Sequence, residues 1–135
     1  MTSQLLQQVL PRSPLRNERG EFDVAGLCET FGLSAADVGG ATGASRQTMA
    51  NSLAERRFVE LRSPALREFF EKLELIHSML LSVTDPQTAD HDIVTWFHAR
   101  NRALQLARPA DLVREGKIDD VIAVLRDVVN PSHGG

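Results

Sequence analysis

Hydrophobic positions recur at steps of three and four residues along most of the chain, which is the spacing expected of amphipathic helices. The longest stripe follows Ser63-Pro64, where serine can cap a helix and proline suits its first position. No run of alternating hydrophobic and polar residues and no hairpin signal accompanies the stripes. The pattern therefore predicts an all-α fold. The hydrophobic members of the longest stripe are Leu66, Phe69, Phe70, Leu73, Ile76 and Leu80.

Capping residues and glycines predict the helices of the first half. One helix runs from Phe22 to a stop at Gly32. A second begins at Ser34, with Asp37 placed to complete a capping box, and a third begins at Ser45.

The second half contains three further predicted helices. One begins at Asp85-Pro86 and continues through Trp96, and Pro109 begins a short helix that Gly116 ends. The last helix carries one apolar face, formed by Ile118, Val121, Ile122, Leu125, Val128 and Val129.

The segment from residue 33 to residue 53 has the spacing of a helix-turn-helix, in which two short helices cross closely. Gly39 leaves room at the crossing, and Gly43 permits the positive φ of the turn. Arginine can bind guanine, and glutamine or asparagine can bind adenine, so the next helix has donors suited to operator DNA. A competing interpretation is that it serves only as a scaffold. The DNA-contact candidates are Ser45, Arg46, Gln47, Thr48 and Asn51.

Composition and charge restrict the partners. With 135 residues, 42% of them hydrophobic, the chain can build one core or two small lobes that share one. A net charge of −3 argues against overall attraction to nucleic acid or anionic lipid, so a basic contact must be local. No apolar run approaches eighteen residues and no basic leader is seen. We therefore expect a soluble, cytoplasmic protein without a membrane partner.

Residues that could support catalysis or bind a metal are sparse. His91 and His98 are seven positions apart, too far along one helix to share an ion. His77 falls within an apolar stripe, and Cys28 stands alone in another, so both are predicted to pack in the core. No phosphate-binding loop or nucleophile motif occurs. We therefore expect no enzyme activity, no metal and no cofactor.

Residues 95–128 contain an ordered motif. A tryptophan lies near a helix end, a connector with asparagine and leucine follows, and then come proline, two apolar residues and a glycine. The residues of the motif are Trp96, Asn101-Arg102-Ala103-Leu104, Pro109-Ala110-Asp111-Leu112-Val113 and Gly116. The motif resembles the toxin-binding domain of Xre/MbcA/ParS antitoxins. It departs from that family at Arg100, often a proline, and at Gln105-Leu106-Ala107-Arg108, often a glycine-rich turn, so a more helical connector is expected.

The resemblance implies an antitoxin of a type II toxin–antitoxin pair. The partner would be a RES-domain toxin that consumes NAD or transfers ADP-ribose. The antitoxin would cover the active-site cleft of the toxin, and it would exist as a homodimer or as a hetero-oligomer with the toxin. It would also repress its own operon. Tryptophan and arginine are frequent anchors of such interfaces. The toxin-contact candidates are Trp96, Arg100, Asn101, Arg102, Leu104, Arg108, Pro109, Leu112, Arg114, Ser132 and His133.

This interpretation divides the chain into a flexible arm (1–21), a helix-turn-helix lobe (22–62) and a toxin-binding lobe (63–135). Two alternatives stay open. The chain could be a stand-alone helix-turn-helix regulator whose second lobe dimerises, or a structural adaptor with no DNA role. A structural interpretation also competes with toxin contact at four residues, because most large apolar residues of a small domain serve the core. These four are Trp96, Leu104, Leu112 and Gly116.

Overall fold

Six α-helices lie within the residues that the computed structural model describes, which are residues 16–43, 58, 59, 61 and 63–130. Two short strands, β1 (Phe22–Asp23) and β2 (Phe58–Val59), pair antiparallel, with Phe22 opposite Val59. The expectation of a mainly helical fold is confirmed for this part of the chain, and the strand pair is an addition to it. The helices are α1 (Val24–Phe31), α2 (Ala35–Thr42), α3 (Pro64–Val83), α4 (Ala89–His98), α5 (Pro109–Arg114) and α6 (Ile118–Val129), and a 3-10 helix spans Arg102–Leu104.

Helix α3 lies at the centre of the fold and contacts α1, α2, α4 and α6. All six members of its predicted apolar stripe are buried, and Ser63 caps its first turn by accepting a hydrogen bond from the Leu66 amide at 3.4 Å. One hydrophobic cluster joins residues from both sides of position 62, including Phe31, Phe70 and Phe97. The described residues thus pack around one core. The division of the chain at residue 62 stays a prediction.

The first two helices end where their glycines predict. Gly32 follows α1 with φ +66°, and Gly43 follows α2 with φ +78°, a left-handed conformation in which a Cβ atom is strained. Ser34 and Asp37 form the expected capping box. Helix α1 begins at Val24 instead of Phe22, because Phe22 is drawn into the strand pair.

Two other predicted boundaries differ from the structure. Helix α4 begins at Ala89, several residues after Asp85-Pro86. The Asp85 carboxylate accepts a hydrogen bond from the Gln87 amide at 2.9 Å, which makes a local turn in place of a helix cap. In α6, Val128 and Val129 belong to the predicted apolar face but are 54% and 37% exposed, so the buried part of that face ends at Leu125.

The segment just before β1 is packed against α3. The Arg16 guanidinium lies 2.8 Å from Glu74 and 3.6 Å from Glu71, and it stacks 3.9 Å from the centre of the Phe22 ring. Asn17 and Gly20 close a hydrogen-bonded turn beside it. Residues 16–21, the last part of the predicted flexible arm, are thus joined to α3 through Arg16, and the arm itself stays a prediction. Residues 1–15 lie outside the described residues.

Several predicted features also lie outside the described residues. They are the third helix of the first half, all five DNA-contact candidates, and the toxin-contact candidates Ser132 and His133. Within the described ranges, no helix has both the length and the apolar character to cross a membrane.

Candidate functional site

The connector between α4 and α5 folds into a compact turn. Asn101 and Ala107 form an antiparallel bridge in which the Asn101 amide donates to the Ala107 carbonyl at 3.0 Å. The Asn101 side chain accepts a hydrogen bond from the Ala103 amide at 2.9 Å and so caps the 3-10 helix. Leu104, 8% exposed, anchors that helix to the core. A toxin-contact candidate, Asn101, therefore has a defined role in shaping the connector.

The chain reverses direction at Gln105 and Leu106, which have φ values of +57° and +68°. The Leu106 amide donates to the Asn101 carbonyl at 2.8 Å, and the Ala107 amide donates to the Leu104 carbonyl at 3.0 Å. The expectation of a more helical connector is wrong for residues 105–108, which follow the 3-10 helix and contain no helix. The bridge at Asn101 and the buried Leu104 fix the two ends of a tight turn, so the residues between them take up conformations that usually favour glycine.

The apolar candidates are positioned by the core. Pro109 is buried at the first position of α5, and Trp96 and Leu112 are partly buried against the hydrophobic cluster. Gly116 follows α5 with φ +83°, as expected of the residue that ends a helix. These positions agree with the structural interpretation of Trp96, Leu104, Leu112 and Gly116. Contact with a toxin at any of them stays a prediction.

The four candidate arginines are all exposed, but their surroundings differ. The Arg100 guanidinium donates to the Leu106 carbonyl at 3.4 Å, and Arg102 makes no ion pair within the described part of the chain. Arg108 lies 3.8 Å from Asp111, at the long end of an ion pair. Arg100 and Arg102 therefore offer the least compensated positive charge, beside the turn of the connector.

Arg114 is the exception, because it joins α5 to α2. Its Nε atom donates to Oδ1 of Asp37 at 2.6 Å, and Nη1 donates to Asp111 at 3.1 Å. Burial alone would raise the pKa of Asp37, but hydrogen bonds from Ser34 and Arg114 outweigh it and hold that pKa below 3.8. The helices also approach closely here, since a Cβ atom on Gly40 would lie 3.2 Å from the Arg114 carbonyl oxygen. Arg114 thus has a role inside the fold.

The histidines and the cysteine belong to the fold. Nε2 of His98 lies 2.7 Å from the Phe31 carbonyl oxygen, which joins α4 to α1. His77 is buried, and its desolvation lowers its pKa below 6.5. Burial raises the pKa of the Cys28 thiol to about 12. Among the residues that the structure describes, no group of three His, Cys, Asp or Glu side chains is arranged to hold a metal ion.

Comparison with known proteins gives one informative match. No protein-family model matches the chain, and no curated protein does. One solved structure does match: a chain in the crystal structure of the M. tuberculosis MbcT–MbcA toxin–antitoxin complex. The match has a TM-score of 0.51 and a sequence identity of 25%, and it covers 82% of this chain and 93% of that chain. The fold is that of an MbcA-like antitoxin. The match confirms the resemblance first seen in the motif between Trp96 and Gly116.

Sequence reasoning missed two features, the contact of Asp37 with Arg114 and the exposure of Leu106. Asp37 binds Arg114 across 77 positions of sequence, and no local pattern indicates such a contact. Leu106 is 56% exposed, although a leucine three or four residues from other apolar positions is more often buried. The substitution of a glycine-rich turn by Gln105-Leu106 was the available signal, and it pointed to a more helical connector instead.

Proposed function

We propose that this chain is the antitoxin of a type II toxin–antitoxin pair and neutralises a RES-domain toxin that consumes NAD or transfers ADP-ribose. The observation that carries the proposal is the structural match to a chain of the MbcT–MbcA toxin–antitoxin complex. The antitoxin acts by covering the toxin's active site. Steric occlusion needs binding alone, so the proposal requires no catalytic residue, metal or cofactor in this chain.

The surface proposed for the toxin is the connector between α4 and α5 with the adjoining ends of both helices. It combines the partly exposed indole of Trp96 with the exposed guanidiniums of Arg100 and Arg102. An indole contributes a large contact area and a guanidinium contributes several fixed donors, which is why both anchor protein interfaces. The closed turn at Asn101 fixes the backbone around Arg100 and Arg102 before binding, which lowers the entropy lost on association.

Co-expression tests this proposal. The protein encoded by the adjacent reading frame should arrest growth and deplete cellular NAD when it is expressed alone, and this chain should restore both. Replacing Arg100 and Arg102 together by serine should weaken the rescue. Replacing Arg19, an exposed arginine in the turn before β1, should leave it intact and controls for the loss of charge. Failure of the wild-type chain to restore growth would contradict the proposed function.

The carboxy-terminal tail is proposed to lie near the mouth of the toxin cleft. It contains Ser132 and His133 among small and polar residues, and it follows α6 directly. Its structure lies outside the described residues, so deletion is the direct test. Removal of residues 131–135 should impair inhibition while the chain remains folded. Unchanged inhibition would rule out a role for the tail.

Operator binding and autorepression form a second proposal. Its support is the geometry of α2, whose capping box and left-handed Gly43 suit the first helix and turn of a helix-turn-helix. Replacement of Arg46 and Gln47 by alanine should abolish binding to the promoter of the operon and leave toxin neutralisation unchanged. A folded variant that also loses neutralisation would show that the two activities are not separate. Promoter binding without any neutralisation would favour the stand-alone regulator.

A further inference from the structure

Leu106 is the most exposed large hydrophobic side chain in the part of the chain that the structure describes. It is 56% exposed, while its neighbour Leu104 is 8% exposed and reaches the core. A single exposed leucine is common on protein surfaces and indicates nothing alone. Here, however, the backbone of the connector turns the side chain outward at the tip of a closed turn.

The conformation of that turn is unfavourable for the residues that occupy it. Gln105 and Leu106 are the only non-glycine residues with positive φ in the described ranges, and they are consecutive. A left-handed conformation brings the Cβ atom close to the following carbonyl oxygen, and a leucine side chain cannot compensate by hydrogen bonding. The bonds to Asn101 hold the turn closed nevertheless. Strained residues of this kind concentrate at binding sites, because the surrounding structure fixes the exposed group in one orientation.

Positive charge lies beside the exposed leucine. Residues 100–108 contain three arginines and no acidic residue, in a chain with a net charge of −3. Within the ranges that are described, only Arg108 among the three has a carboxylate nearby, that of Asp111 at 3.8 Å. The Arg100 guanidinium lies 3.4 Å from the Leu106 carbonyl oxygen, directly beside the tip of the turn. The surface is therefore an apolar projection with a basic border, and a complementary partner has an apolar depression with carboxylates at its rim.

We infer that Leu106 is an apolar anchor of the interface with the toxin and inserts into a pocket of that enzyme bordered by acidic side chains. The inference rests on the proposed function and extends it from a surface to one residue and the chemistry of its partner site. A second copy of this chain is a poorer occupant. A symmetric contact through Leu106 would place Arg100 and Arg102 of two copies against each other, and such like charges repel.

Two glycine substitutions separate the side chain from the backbone. Leu106→Gly removes the projection and relieves the left-handed strain, whereas Gln105→Gly relieves the same strain one residue earlier and keeps the projection. The probe is the purified product of the adjacent reading frame, titrated with each variant by calorimetry. We expect Kd for Leu106→Gly to rise about tenfold or more, the factor for removing a buried leucine from an interface. We expect Kd for Gln105→Gly to stay within about twofold of wild type.

A third variant and a stability measurement exclude a purely structural role. Leu106→Asn introduces a residue that tolerates positive φ and replaces the apolar side chain with a polar one, so it should weaken binding as strongly as Leu106→Gly. The melting temperatures of the free Gly variants should equal or exceed that of wild type. A structural leucine would instead lower the melting temperature when it is removed.

Four results would overturn the inference, and they differ from one another. Wild-type affinity in Leu106→Gly would show that the side chain is not an anchor. Equal losses in Gln105→Gly would assign the effect to the stiffness of the turn. A change in self-association by light scattering, with toxin affinity unchanged, would identify a second copy as the occupant. Absence of binding by the wild-type chain would reject the proposed function itself, and the inference with it.

Discussion

Replacing Arg114 by methionine should loosen the contact between α2 and α5. Arg114 Nε donates to Asp37 Oδ1 at 2.6 Å, and a second bond at 3.1 Å joins Arg114 to Asp111 within α5. Methionine retains much of the aliphatic stem and removes the charge, so the packing of the stem changes little. The substitution therefore reports on the hydrogen-bonded ion pair.

The expected loss lies between two limits. A hydrogen bond to a charged group contributes about 1.5–3 kcal/mol when it is sheltered, and an exposed ion pair contributes about 0.2–1 kcal/mol. The Asp37 side chain is 16% exposed but the Arg114 side chain is 49% exposed, so solvent screens the pair. We expect a loss of about 1 kcal/mol in the free energy of unfolding, which lowers the melting temperature by roughly 3–5 °C in a chain of this length.

The effect should depend on pH with a known sign. Because the folded-state pKa of Asp37 is lowered, its contribution to stability is complete above the ordinary value of 3.8 and is lost as pH falls through the folded-state pKa. The difference in stability between wild type and Arg114→Met should therefore be constant near neutral pH. It should shrink toward zero once Asp37 is protonated.

Urea denaturation of a double-mutant cycle measures the pair directly. The cycle combines Arg114→Met with Asp37→Asn. Ser34→Ala is the control, because Ser34 Oγ accepts a hydrogen bond from the Asp37 backbone amide and makes no hydrogen bond with Arg114. A coupling of about 1 kcal/mol is expected between the first two substitutions. Additive losses within about 0.3 kcal/mol, or a difference that persists unchanged in acid, would refute the reasoning.

Three further predictions concern buried or constrained positions elsewhere in the fold. Gly32→Ala and Gly20→Ala both place a Cβ atom at positive φ, which costs about 1–2 kcal/mol of stability each, but only Gly32→Ala also brings that atom within 2.9 Å of His98 Nε2. Gly32→Ala should therefore lower the melting temperature more than Gly20→Ala, and equal losses would contradict this. Burial lowers the pKa of His77, so the free energy of unfolding should fall as pH drops below 6.5. His77→Leu should flatten that pH dependence, and an unchanged slope would show that other groups cause it. Burial raises the pKa of the Cys28 thiol to about 12, so iodoacetamide at about pH 8 should label the native chain only as fast as it unfolds; immediate labelling would show that the thiol is accessible.

The parts of the fold that the sequence predicts well are those set by neighbours within one or two turns. The capping box of Ser34 and Asp37 spans three positions, and the stripe of α3 repeats within a single helix. Gly32 and Gly43 end their helices for a reason contained in one residue, the absence of Cβ. Local patterns of this kind need no knowledge of the tertiary structure.

The element boundaries that differ between prediction and structure are those set by contacts with residues distant in sequence. Phe22 lies in a strand and not in the predicted helix, because it pairs with β2. Arg16, within the predicted arm, lies against α3 because a carboxylate of that helix binds it. Gln105 and Leu106 take left-handed conformations because the bridge at Asn101 closes the turn around them. In each case a contact outside the local segment outweighs the local preference, and a single sequence does not contain that contact.

The ion pairs of the structure reduce the number of arginines that are candidates for partner contact. Four arginines in residues 100–114 appeared equivalent in sequence, but the structure assigns them different surroundings. Two carboxylates neutralise Arg114, and Asp111 partly offsets Arg108. Arg100 and Arg102 keep their positive charge exposed, and screening confines its effect to about 8 Å at physiological salt. An acidic chain can therefore present a basic contact, provided that the partner approaches at the connector, where Leu106 projects.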